Sequence, residues 1–283
     1  MPAESARVAT RVATRLGDTG RPRIRLALSN WPAVDDLRAR IRGVGLPELQ
    51  WDEVGTGPRG PIFAFWTSGK DAIEWWRALR THAPTIGHPL LLGSDEDLGR
   101  LRESMDGGAR EVGLGDAFDP AAWFAGRRTA AYEGMDPEER AEFENSIHGP
   151  WPASSPSNSF VAPFDMQTHV PVERIWIALM PIAQPWETAA AIEFGAWNEC
   201  PSPEEHVVVM RYWFERWGAE PVAITSDTVE MLVDKPPHSQ EEALALANEH
   251  FAYCEDIVTQ GVGTIEALAA TLLEGQTWFF WWD

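Results

Sequence analysis

Residues 61–92 read PIFAFWTSGKDAIEWWRALRTHAPTIGHPLLL. Residues 61–66 and 89–92 are short apolar runs, which are typical of buried strands. Between them, apolar residues recur at helical spacing after Ser68, and the second run ends at Gly93. A strand, a helix and a strand with a crossover of this length favour parallel pairing in a right-handed βαβ unit. The sequence therefore predicts an α/β protein.

The segment before this unit begins with a basic stretch. Residues 1–22 carry arginines at a spacing of four, and we interpret them as a flexible basic tail. A helix that binds a membrane surface or a partner is the alternative. Residues 24–28 are predicted to form a strand, and residues 34–41 a short helix.

The C-terminal third also alternates strand and helix signals. Residues 172–182 are apolar at odd and even positions alike, so this strand is predicted to be central in its sheet. Ser202-Pro203-Glu204-Glu205 is a capping box, which predicts a helix that Gly218 ends. The other predicted elements are a short helix at 186–192, a hairpin of strands 221–225 and 229–233, a helix after a second capping box at 239–242, a helix at 265–273 and a buried strand at 278–282.

The chain is expected to have two folded parts. We predict an N-terminal α/β region with the βαβ unit at 23–145, a linker at 146–168 that is rich in serine and proline, and a C-terminal domain at 169–283. The C-terminal domain is predicted to be a mixed α+β sheet with helices packed on it.

The net charge of the chain is −20. A body this acidic repels nucleic acid, so we expect no nucleic-acid binding, whereas it would attract a basic protein partner. Solubility alone is the alternative reason for the charge.

No apolar stretch is long enough for a membrane span, the N-terminus lacks a secretory signal and there are only two cysteines, so a cytoplasmic location is expected. The oligomeric state stays open.

The sequence contains no common cofactor-binding motif. Residues 55–60 match G-x-G-x-x-G by letter, but a strand follows the glycines where a dinucleotide site needs a helix. We interpret the segment as a turn. The P-loop, the G-x-S-x-G elbow and the H-E-x-x-H motif do not occur, and we predict no cofactor.

Short motifs in the C-terminal third resemble one known family. They are Trp197-Asn198-Glu199-Cys200-Pro201, Glu205-His206, Trp217-Gly218-Ala219, Asp227, Pro236-Pro237, the run from Tyr253 to Gly261 and the run from Trp278 to Asp283. Over roughly residues 170–283 they look like the bacterial, mainly actinobacterial, family called domain of unknown function 4253. The 21 Arg against 2 Lys fit a high-GC bacterial origin. The resemblance implies a fold unit and a lineage, and it implies no activity.

A zinc site is one chemical hypothesis. His250 and Cys254 are four residues apart on a predicted helix, so they would share one face. Cys200 and His206 would complete a tetrahedral set. The alternative is that these residues are packed in the core, and we predict no metal.

An acid–base site is the second hypothesis. Glu193, Glu205, His206 and Asp227 are the catalytic candidates, because a carboxylate beside a half-buried histidine tunes a proton donor near neutral pH. The competing explanation is structural, since Glu205 caps a helix and Asp227 lies in a turn.

A binding surface is the third hypothesis. The candidate residues lie in two polar segments with aromatic flanks, and they are Trp197, Asn198, Glu199, Tyr253, Asp256 and Gln260. Trp197 anchors a partner if it is exposed, and otherwise it closes the core beneath its loop.

The function that follows from these patterns is binding without catalysis. We predict a protein-binding factor of an immunity-like or regulatory kind, because the body is acidic and no strong catalytic signature occurs. A hydrolase-like or metal-dependent enzyme that uses Glu205 and His206 is the first alternative. A structural scaffold is the second.

Overall fold

The computed structural model describes residues 31–57, 59–105, 118–154 and 159–283. The predicted tail at 1–22 and the predicted strand at 24–28 lie outside these residues. The strands are β1 Asp52–Gly57, β2 Gly60–Thr67, β3 His88–Gly93, β4 Ile175–Met180, β5 Ala219–Ile224, β6 Thr228–Val233 and β7 Thr277–Trp281.

The helices lie on both faces of these strands. They are α1 Val34–Ile41, α2 Gly69–Arg80, α3 Ala83–Ile86, α4 Asp95–Met105, α5 Pro120–Ala130, α6 Pro137–Ser146, α7 Thr188–Ala191, α8 Pro203–Trp217, α9 Gln240–Tyr253 and α10 Ile265–Leu272. Two 3₁₀ turns, Arg42–Val44 and Pro185–Glu187, and a π-helix, Ile257–Val262, complete the elements. None of the described helices is both long and apolar enough to cross a membrane.

All seven strands belong to one mixed sheet, and the predicted α/β class is confirmed. Their order is β1-β2-β4-β3-β5-β6-β7. Neighbouring strands are antiparallel except β3 and β5, which are parallel. Strands from both predicted regions of the chain therefore share one sheet.

The predicted pairing of β2 with β3 is wrong, although their common direction is right. Both strands run antiparallel to β4, which lies between them, and Leu179 of β4 faces Phe63 on one side and Pro89 on the other. The reason is that β4 is apolar on both faces and so occupies the centre of the sheet, as its sequence predicts. Helix α2 still connects β2 to β3, and the Trp76 indole donates to the Pro89 carbonyl at 2.8 Å.

The two faces of β4 carry two separate cores. Its odd-numbered side chains, Ile175, Ile177 and Leu179, pack with residues of α1 and α2. Its even-numbered side chains, Trp176, Ala178 and Met180, pack in the larger core that includes α4, α8, α9 and α10. This alternation follows from the two-residue period of a strand.

The helix ends and the final strand mostly follow the sequence. Ser202 and Glu205 form the predicted capping box, and Gly218 ends α8 with a φ of 62°. The second box is only partly formed, because the Glu242 carboxylate accepts from the backbone of His238 instead of Ser239. Strand β7 lies at the edge of the sheet, where it pairs with β6 alone among the described strands.

Candidate functional site

The loop before α8 has an unusual backbone. Glu193, Gly195, Ala196 and Asn198 have φ values of 53°, 113°, 69° and 43°. Residues other than glycine rarely adopt positive φ values, because their side chains then crowd the backbone. Backbone strain of this kind persists only where the surrounding structure enforces it. Strained segments of this kind cluster at functional sites, so the loop marks a candidate site.

Gly195 lets this loop approach the buried side chain of His206. A Cβ atom at Gly195 would lie 2.0 Å from the carbonyl oxygen of Pro201 and 2.9 Å from Nε2 of His206. The backbone N–H of Ala196 donates to the same Pro201 carbonyl at 3.0 Å, which closes the loop. The loop is therefore a tight cover over the start of α8.

Beneath the cover, a buried polar group connects α8 to α9. Nδ1 of His206 lies 2.5 Å from the hydroxyl of Tyr253, and Nε2 lies 3.5 Å from Sγ of Cys200. Burial, aided by the charge of Arg127, lowers the pKa of His206 to about 3. Burial also raises the pKa of the Cys200 thiol and that of the Tyr253 hydroxyl.

These shifts make the group neutral at physiological pH. A neutral imidazole has one N–H group, so one of its ring nitrogens donates and the other accepts, and the Tyr253 hydroxyl and the Cys200 thiol are the partners in either arrangement. A nucleophilic cysteine needs a thiolate beside an imidazolium, and both pKa shifts oppose that state. His206 is also fully buried, so this group joins two helices and is closed to solvent.

The four residues of the zinc hypothesis do not form one site. Helix α9 ends at Tyr253, and Cys254 has an extended backbone with a φ of −148°, so its side chain leaves the helical face of His250. The Cys254 thiol donates to the Trp281 carbonyl at 2.9 Å, and burial raises its pKa to about 12. Within the described ranges, no three His, Cys, Asp or Glu side chains could hold a metal ion.

His250 lies in an aromatic cage. Its ring centroid is 4.9 Å from that of Trp213, 4.5 Å from that of Trp278 and 4.8 Å from that of Phe280. Burial lowers its pKa to about 3, and its Nε2 atom has no hydrogen-bond partner among the described residues. His250 is therefore a neutral core residue.

The catalytic candidates have separate structural roles. Glu205 accepts from the Ser202 backbone at 2.8 Å and from the Trp123 indole at 2.9 Å, so it connects the N-cap of α8 to α5. Burial would raise the pKa of Glu205, but these hydrogen bonds outweigh it and lower the pKa. Asp227 lies in the β5–β6 turn, where its carbonyl accepts from Trp282. Glu193 is half-buried in the strained loop.

Three of the six residues of the binding hypothesis meet at the end of β7. The side chain of Asn198 donates to the Asp283 carbonyl oxygen, and the Asp283 backbone N–H donates to Asp256 at 3.0 Å. Gln260 donates to the other oxygen of Asp256 at 2.8 Å. Tyr253, in contrast, lies in the buried group below.

Carboxylates gather on this surface. Burial raises the pKa of Glu255, and the charges of Asp256 and Glu199 raise it further. The side chain of Glu199 is 78% exposed, and one of its carboxylate oxygens lies 3.8 Å from the guanidinium of Arg127. We call Glu199, Glu255, Asp256 and Asp283 the anionic surface.

Two further features surround the anionic surface. Trp197 is half-buried, and its ring lies 4.8 Å from that of Phe194, so it closes the core beneath the loop. The π-helix Ile257–Val262 follows Asp256 directly and carries Gln260. Helices of this rare type frequently occur at functional sites.

Sequence reasoning missed a second polar group, which lies where β3 and β5 begin. Nδ1 of His88 lies 3.3 Å from Oε1 of Glu220, and Arg80 donates to Oε2 of the same carboxylate. Burial lowers the pKa of His88 to about 4 and raises that of Glu220. The sequence feature that could have indicated this group is Glu220, a single acidic residue at the start of the apolar strand β5.

Of three comparisons with known proteins, only the one with family models gives a match. No curated protein and no solved structure gives a significant match to the chain. The strained loop, the π-helix and β7 all lie in one continuous segment that a family model covers. Residues 176–283 match the model of the family described as domain of unknown function (DUF4253).

Proposed function

We propose that this chain is a non-enzymatic protein-binding factor that docks a basic protein on the anionic surface. The observation that carries the proposal is the gathering of Glu199, Glu255, Asp256 and Asp283 from three separate segments. Like charges held together cost free energy unless an opposite charge offsets them. Arg127 of this chain offsets part of that cost, and a cationic side chain of a partner would offset more of it.

The charge of the whole chain supports the same partner. A net charge of −20 attracts basic proteins over long range and speeds their encounter. Hydrogen bonds among Asn198, Asp256, Gln260 and Asp283 hold the segments of the surface together, and a preorganised surface loses little entropy on binding. An immunity-like or regulatory factor has these properties.

The enzyme alternative at Glu205 and His206 has weaker support. His206 is fully buried, and both Glu205 oxygens already accept hydrogen bonds. A bacterial, cytoplasmic setting belongs to the same proposal, and it agrees with the two cysteines being free thiols.

The test compares Glu199→Lys with Glu142→Lys, a matched charge reversal on the exposed part of α6. The binding of a short polyarginine peptide, and of any basic protein recovered with the chain, is measured by calorimetry at several salt concentrations. We expect Glu199→Lys to weaken binding about tenfold and Glu142→Lys to change it less than about twofold. Equal weakening by both variants, or no measurable binding, would contradict the proposal.

A further inference from the structure

A concave site lies at the end of the sheet where β3 and β5 begin and β4 ends. Its volume is about 690 Å³, which is within the range of small-molecule sites. The polar lining includes Arg40, Arg59, Arg80, His88 and Glu220. Rings of Trp31 and Phe214 contribute apolar lining. We call this site the arginine cleft.

The bottom of the cleft is a closed network. Glu220 is paired with Arg80 and His88, and Nε2 of His88 lies 3.2 Å from the carbonyl oxygen of Pro221. Arg80 also lies 3.6 Å from Asp234. The charge of Arg80 is therefore matched by carboxylates of this chain, and the network fixes the shape of the cleft.

The other two arginines have donors to spare. Arg59 is only 17% exposed, and its ion pair with Glu187 is 3.9 Å long, beyond hydrogen-bond length. Arg40 is exposed and donates to the carbonyl of Thr85. A guanidinium has five N–H donors in a fork that matches the oxygens of phosphate, so each of these side chains can still bind an anion.

We propose that the arginine cleft binds a small phosphate monoester that carries a flat ring. Arg40 and Arg59 hold the phosphate by charge-assisted hydrogen bonds, which are the stronger kind. The ring packs against Trp31 and Phe214, where an aromatic group buries apolar surface. Two cationic side chains directed to one cleft contrast with the acidic body of the chain, and they select an anion that the remaining surface repels.

The test measures binding of phenyl phosphate, inorganic phosphate and phenol to the full chain by calorimetry. We expect the wild type to bind phenyl phosphate more tightly than inorganic phosphate, and phenol weakly. Arg40→Gln and Arg59→Gln should each weaken phenyl phosphate binding about tenfold. Arg38→Gln is the matched control, because Arg38 lies on α1 near Arg40, pairs with Asp35 and does not line this cleft. It should change binding less than about twofold.

Three results would overturn the proposal. They are the absence of saturable phenyl phosphate binding up to about 10 mM, phenol binding as tight as that of phenyl phosphate, and unchanged binding in either Arg40→Gln or Arg59→Gln. Far-ultraviolet circular dichroism of each variant confirms its fold. Arg59→Lys keeps the charge and loses the fork, so it should bind with intermediate affinity if the bidentate contact is made. The anionic surface plays no part in this test, so its outcome is independent of the protein-binding proposal.

Discussion

Nδ1 of His206 lies 2.5 Å from the hydroxyl oxygen of Tyr253, and neither side chain reaches solvent. The two residues lie on α8 and α9, so this hydrogen bond joins the two helices inside the core. A buried polar pair of this kind contributes little when it is complete, and it costs much more when one partner is removed.

Tyr253→Phe removes the hydroxyl and leaves Nδ1 of His206 buried without its partner. We expect the free energy of unfolding to fall by about 1–3 kcal/mol in urea denaturation. Tyr212→Phe is the control, because the Tyr212 hydroxyl bonds the half-buried Glu249 and water can replace it. Its loss should be below about 1 kcal/mol. A Tyr253→Phe protein as stable as the wild type would show that the pair adds nothing.

His250→Phe should stabilise the chain in acid. Burial lowers the pKa of His250 from 6.5 to about 3, so its stability contribution is complete above pH 6.5 and is lost as the pH falls towards 3. The loss has a slope of about 1.4 kcal/mol per pH unit. Relative to the wild type, the variant should therefore gain about 2 kcal/mol more at pH 5 than at pH 7.5.

Urea denaturation at the two pH values measures this difference. Comparing variant with wild type cancels the opposite contribution of Glu230, whose pKa burial raises from 4.5 to about 7. A stability difference that does not change with pH would mean that His250 is charged, or paired, in the folded state.

Glu230 fastens the segment after residue 158 to β6. Its carboxylate accepts from the backbone of Val161 at 2.6 Å and of Ala162 at 2.9 Å. Glu230→Gln keeps one acceptor oxygen and loses the other. Hydrogen exchange of the Val161 and Ala162 amides should accelerate about tenfold at pH 8, whereas exchange of Met231 in β6 stays unchanged. Equal protection in both proteins would refute the role of the carboxylate.

Gly195→Ala should destabilise the chain through both its φ and its contacts. The φ of 113° disfavours any side chain, and the new Cβ would meet the Pro201 carbonyl at 2.0 Å. Gly45→Ala is the matched control, because Gly45 has a φ of 87° with no atom within 4 Å of a built Cβ. We expect a loss of about 1–2 kcal/mol for Gly45→Ala and at least about 3 kcal/mol for Gly195→Ala. Similar melting temperatures for the two variants would mean that the loop relaxes around the methyl group.

Local patterns in the sequence predicted local structure well. The spacing of apolar residues and the Ser202–Glu205 box gave α8, and the two apolar faces of residues 175–180 predicted a central strand. Three of the segments on which the family resemblance rests, 197–201, 253–261 and 278–283, meet around Asp283, and their spacing in the sequence did not predict this meeting.

The order of the strands and the contacts between distant residues could not be predicted from the sequence, for physical reasons. The insertion of β4 between β2 and β3 depends on a strand that follows a long intervening segment. The pairing of His88 with Glu220 joins two strands whose adjacency no local pattern encodes. The zinc hypothesis placed His250 and Cys254 on one helical face, but the helix ends at Tyr253, and helix ends are the least regular part of such elements.

The strand order has a consequence for how the chain is made. Both neighbours of β3 in the described sheet, β4 and β5, are synthesised after it, and β4 starts only at Ile175. Until then, a nascent chain on the ribosome carries an apolar strand with no hydrogen-bond partner at either edge, which is an aggregation hazard. Fragments that stop before Ile175 should therefore depend on chaperones or be removed by proteases.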